Sequence, residues 1–186
     1  MAATGALLLL HNRALAALPP ATSDELIVAV RGATTPEVAG MVMAWSEARW
    51  LLPWLYAFGG APTDAAGAAI TLDNPATAEA LNLLRVLHDA AEDETVSYGA
   101  GQRMFGRGNA AFALDGDWAL ATYATYSETL SLGIAPLPRV PATGLPAVGP
   151  LGGSYLMLGR DLAGPELGRA RALIAWAVAP EQQARV

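Results

Sequence analysis

Residues 105–123 read FGRGNAAFALDGDWALATY. Gly106 and Gly108 close a helix, Ala110 to Leu114 form a short apolar strand, and the turn Asp115-Gly116-Asp117 launches a second helix at Trp118. A strand that ends in a glycine-containing turn and feeds a helix leaves free backbone N–H groups at its carboxyl edge, the place where open α/β sheets bind ligands. One large aromatic stands there too. This stretch marks the chain as α/β and puts Trp118 at the mouth of a cleft. The competing reading of the same residues makes Trp118 the first core residue of an amphipathic helix.

The rest of the composition narrows the choice of partner. The chain has 186 residues, long enough for one domain with a substantial core or for two small lobes. It is 53% apolar and only 15% charged, so its surface is sparsely charged. The net charge is -6 and every basic residue is an arginine, with no basic stripe, which argues against a nucleic-acid partner. Cysteine is absent, excluding disulfides and thiolate chemistry. The apolar run Ala6 to Leu10 is stopped by His11-Asn12-Arg13, with no positive segment before it. It therefore reads as a strand rather than as a signal peptide or a membrane span.

Along the chain, Gly5 to Leu10 reads as a buried strand. Thr22 with Glu25 forms a capping box that opens a helix toward Val30. From Val38 to Gly60, the apolar segment VAGMVMAWSEARWLLPWLYAFGG reads as helical, with Pro53 either kinking the helix or marking its first turn after a break near Glu47. Trp50, Trp54 and Phe58 recur every four residues on one face, a stripe that fits core as well as a ligand platform, whereas Glu47 and Arg49 least resemble core. Ile70 to Leu72 reads as a short strand. Asn74-Pro75 caps a helix to about Ala90 with Ala80, Leu83, Leu84 and Leu87 inward, and a short helix covers about Gly101 to Phe105. Glu92-Asp93-Glu94 reads as a solvated acidic loop. After Leu132 the proline- and glycine-rich texture predicts strands at Leu132 to Ala135 and Ser154 to Leu158, then a helix from Pro165 through Ala179.

A search for chemistry is mostly negative. His11 and His88 are the only histidines, and no cluster has metal-ligand spacing, so neither a metal nor another cofactor is expected. There is no P-loop, no dinucleotide fingerprint and no GxSxG elbow. Asp115 and Asp117, two apart on one turn, cannot flank a glycosidic bond from opposite faces, so the chain is not read as an enzyme.

Six segments in order nevertheless resemble a known family, the solute-binding proteins of ABC sugar importers that include maltose-binding protein. They are LLLLHNRAL with LPPATSDEL; WLYAFGG; LDNPATAEALNLLRVLHD; FGRGNAAFALDGDWAL; LGIAPLPRVPATGLPAVGPLGGSY; and RALIAWAVAPEQQARV. The resemblance implies a type II periplasmic-binding-protein-like α/β fold of two lobes closing on a ligand. It assigns residues 1–131 mostly to the second lobe and residues 132–186 to a hinge crossing with part of the first. It implies ligand contacts at Trp118, with Asp117 beside it in the turn, at Glu47 and Trp50, and, from the other lobe, at Gly153 and Tyr155.

The implied ligand is a sugar or oligosaccharide, whose apolar faces stack on aromatics while carboxylates and amides read its hydroxyls. The implied partners are ABC permease subunits at the periplasmic or extracellular side of a membrane. Complete members of the family are considerably longer, so one wall of the cleft is expected to be missing from this chain. Two alternatives follow: an interaction module that associates with itself or with a missing segment after ligand binding has lapsed, and, more remotely, a glycan-acting enzyme.

Overall fold

A computed structural model describes residues 3–92, 97–150 and 152–183. They divide into two compact units, residues 7–150 and residues 1–6 with 151–186.

The larger unit is built on four strands: β2 (Leu7–Asn12), β3 (Ala39–Val42), β4 (Ala110–Gly116) and β5 (Leu132–Ala135). Their order across the sheet is β3-β4-β2-β5. β3 runs parallel to β4, while β4 and β5 both run antiparallel to β2, with Leu9 opposite Leu114 and Ala135. β4, apolar from Ala110 to Leu114, is buried along its whole length, as a central strand covered on both faces must be. Because successive strand side chains point to opposite faces, Leu9 and Met41 enter one core and Leu10 and Val42 the other. The first core takes in Leu26 and Val30 from α1 (Ser23–Ala33), Trp54 and Leu55 from α2 (Leu52–Ala57), and Leu83 and Leu87 from α3 (Pro75–Ala91). The second takes in Phe105 from α4 (Tyr98–Gly106), Tyr123 from α5 (Leu120–Ala124), and Leu130.

Helix starts follow their sequence signals. The Thr22 hydroxyl accepts from the Glu25 N–H at 3.2 Å, and the Glu25 carboxylate reaches back to the Ala21 N–H at 2.8 Å. Asn74 accepts from the Thr77 N–H at 3.0 Å, with Pro75 in the first turn of α3. Gly108, with φ at +81°, turns the chain from α4 into β4.

Several elements depart from the sequence reading. The segment from Val38 is not helical at its start: Ala39–Val42 is strand β3, and only after a 3-10 turn at Ala48–Leu51 does α2 begin, with Pro53 in its first turn. A short apolar run has no period that separates strand from helix, and here pairing with β4 decides. Asp115 and Gly116 belong to β4 rather than to a turn, because Leu8 and Leu7 pair with them. A 3-10 turn, Asp117–Ala119, follows, and α5 ends at Ala124. Gly5 to Leu10 is two strands interrupted at Ala6. Ile70 makes only an isolated bridge with Thr63 and lies exposed, so Ile70 to Leu72 is no strand. Residues 132–150, read as the start of a crossing segment, pack into the larger unit through β5, Leu137, Val140 and Ala147. Of the acidic run, Glu92 ends α3 in the left-handed region, and Asp93 and Glu94 lie outside the described residues.

The smaller unit pairs β1 (Ala3–Gly5) antiparallel with β6 (Gly152–Ser154) and adds α6 (Gly164–Ala177) and α7 (Pro180–Gln183). The expected strand at Ser154 to Leu158 is therefore displaced toward the N-terminus, where β1 supplies its partner. α6 covers the helix expected from Pro165 and buries none of its residues. No helix among the described residues is long and apolar enough to cross a membrane.

Candidate functional site

At the end of β4, Asp115 is 1% exposed, and its carboxylate must be matched by donors because a buried unpaired charge is costly. Four converge on it. One oxygen accepts from the Tyr98 hydroxyl at 2.6 Å and the Gly116 N–H at 2.7 Å. The other accepts from the Tyr123 hydroxyl at 2.7 Å and the Gln102 amide at 3.2 Å. Tyr98 and Gln102 stand one turn apart on α4, and the Gln102 amide also reaches the Tyr98 hydroxyl at 2.9 Å.

Burial, and then the hydrogen bond to Asp115, pushes the Tyr98 phenol well above its ordinary pKa; the indole of Trp118 and the charge of Arg49 oppose the shift. Tyr123 is pushed up as well, first by burial, then by the charge of Asp115 and the hydrogen bond to it. Both phenols therefore remain neutral donors near neutral pH. The crevice beside them, bordered by Val42, Met43 and Leu114, encloses about 10 Å³, room for about one water. It is too small for a ligand.

From this buried knot the site reaches the surface. The Trp118 indole N–H donates to the Tyr98 hydroxyl at 2.9 Å, while the indole remains 49% exposed. The Tyr98 ring stacks on Trp50, with centroids 6.3 Å apart and planes at 24°. The Arg49 guanidinium lies 5.9 Å from the Trp50 ring centroid, and its Nε donates to Glu47 at 2.8 Å. Glu47, Arg49, Trp50, Tyr98 and Trp118 thus form one linked series on the larger unit.

A model of the bacterial extracellular solute-binding protein family matches residues 2–186. The chain belongs to that family. In structure, the solute-binding chain is similar to the maltose/maltodextrin-binding domain MalE from Bdellovibrio bacteriovorus bound to maltotriose, with a TM-score of 0.83 and 25% identity. The similarity covers 97% of this chain and 50% of that one, so the chain spans about half the length of that relative. The fold is accordingly the α/β type II periplasmic-binding architecture, in part. No curated protein sequence matches the chain.

Of the contact residues expected from the sequence, Glu47, Trp50 and Trp118 come together, although Trp50 does so from beneath. It is 1% exposed, and its indole N–H meets no acceptor among the described residues, so its ring supports Tyr98 instead of facing solvent. Asp117 is half-buried and begins the 3-10 turn that carries Trp118. Gly153 pairs with Thr4 in β6, and Tyr155, 64% exposed, follows that strand; both belong to the smaller unit. The sequence reading missed Tyr98, Gln102 and Tyr123 and left Asp115 as a turn residue. Their signal was an acid in an otherwise apolar strand, which needs partners. Arg49 was visible as a charge interrupting an apolar run. Among the described residues no three His, Asp or Glu side chains gather as a metal ion requires.

Proposed function

We propose that this chain forms part of an oligosaccharide-binding protein of an ABC-type importer, working on the extracellular or periplasmic side of a membrane with permease subunits as partners. The observation that carries the reading is the half-exposed Trp118 ring, fixed by Tyr98 and linked through Tyr98 and Trp50 to the Glu47–Arg49 pair, in a solute-binding chain whose structural relative was solved with maltotriose. An aromatic face offers a sugar ring its apolar patch, while a carboxylate and a guanidinium accept from and donate to its hydroxyls. Because Glu47 and Arg49 offset each other's charge, the surface suits a neutral sugar. Asp117 borders it, at the start of the turn that carries Trp118.

The test is a thermal-shift titration of the chain with maltotriose and other neutral oligosaccharides. A ligand that binds only the folded state stabilises it by about 2.7 kcal/mol at a hundred times Kd. A rise in Tm that Trp118→Ala abolishes is expected. A cooperative melt that no sugar moves overturns the reading for this chain.

One observation favours a second reading, that the chain associates with itself or with further polypeptide. α6 buries no residue, and Leu173 and Trp176 on it are exposed, as are Tyr155, Leu156 and Met157.

A further inference from the structure

We infer that Tyr98 is a positioning residue for Trp118, an assignment that deepens the carbohydrate reading and rests on it for its ligand. The indole of tryptophan has a single hydrogen-bond donor and no acceptor. In Trp118 that donor is already used, 2.9 Å from the Tyr98 hydroxyl. The Tyr98 hydroxyl proton is in turn used at 2.6 Å on Asp115, which the Tyr123 hydroxyl, the Gln102 amide and the Gly116 N–H hold from three further directions. Stacking on buried Trp50 fixes the ring of Tyr98 from below. The surface indole is thus fastened to a buried carboxylate through one phenol.

Two consequences follow. Trp118 offers a ligand its ring face and no hydrogen bond, so this residue selects for an apolar sugar face and leaves hydroxyl recognition to Glu47 and Arg49. And the ring is held in one plane before the ligand arrives, which spares binding the ordering of a large side chain.

The test uses the whole chain and two variants. Tyr98→Phe keeps the ring that stacks on Trp50 and removes only the hydroxyl. Trp118→Phe keeps an apolar ring and removes the N–H from the other end. In the unliganded chain, the Trp118 indole N–H, followed by ¹⁵N NMR, is expected to exchange slowly with water, and in Tyr98→Phe to exchange freely while the melt stays cooperative; fast exchange in the parent chain also overturns the assignment. With maltotriose as the probe, Tyr98→Phe is expected to weaken binding about three- to tenfold, the ordering cost of one side chain. On the Trp118→Phe background the same substitution is expected to have no further effect.

An indole N–H that stays protected in Tyr98→Phe, or an affinity loss from Tyr98→Phe that is equally large on the Trp118→Phe background, overturns the assignment. A wild-type chain whose indole N–H is protected through Tyr98 but which ignores maltotriose supports the positioning role and overturns the carbohydrate reading instead.

Discussion

Tyr123 shows how the charge of Asp115 is stabilised and where that arrangement weakens. Its hydroxyl is a donor only while protonated, and its folded-state pKa is raised by burial, by the charge of Asp115 and by the hydrogen bond to it. A group whose pKa is raised on folding contributes stability that is complete below its unfolded value, about 10 for tyrosine, and is lost as pH climbs from there toward the folded value. The chain is therefore expected to lose stability steeply above about pH 10, with Tyr98 contributing in the same direction. Tyr123→Phe, which has no proton to lose, should narrow the gap between urea midpoints measured at about pH 8 and about pH 11. An unchanged gap counts against Tyr123 as a source of the alkaline loss. Residue types alone made Trp118 and Glu47 visible, since an aromatic just after an apolar strand and an acid within an apolar run both stand out. They could not reveal Tyr98, because spacing tells which residues share a face of one element, and Tyr98 meets Asp115 only when α4 docks beside β4.

The helices were readable because their ends are written locally: Thr22 and Asn74 are caps whose partners lie three residues on. β3 was not, because its identity as a strand lies in its neighbours. Gly40, in the middle of β3, records how close those neighbours come. A methyl group there would overlap the Val30 carbonyl and the Thr34 hydroxyl at the end of α1. That hydroxyl lies 2.9 Å from the Val30 carbonyl and 2.8 Å from the Ala90 carbonyl, joining the last turns of α1 and α3. Gly40→Ala must push α1 off the sheet or break this junction, and overpacking of this kind typically costs about 1–3 kcal/mol. A chemical denaturation curve should show the loss as a lower midpoint; a variant as stable as the parent would mean that α1 shifts freely on β3.

The two units differ in how completely each fills its own core. The larger one covers both faces of its sheet, whereas the smaller presents α6 with Leu173 and Trp176 exposed. If that surface is a contact surface, sedimentation velocity should show the weight-average mass rising with concentration, and Leu173→Glu with Trp176→Glu should suppress the rise. A monomer at every concentration would sink the association reading. The layout of the chain has one more consequence, for the order in which it matures on the ribosome. The larger unit is a single uninterrupted stretch, residues 7–150, set between the two strands that pair as β1 and β6. Domains generally fold as units during synthesis, N-terminal first. Within the described residues β1 must wait for β6 while the whole inserted body, with the Asp115 knot and the Trp118 surface, is translated and can close. The surface around Trp118 can then be complete before β1 and β6 pair.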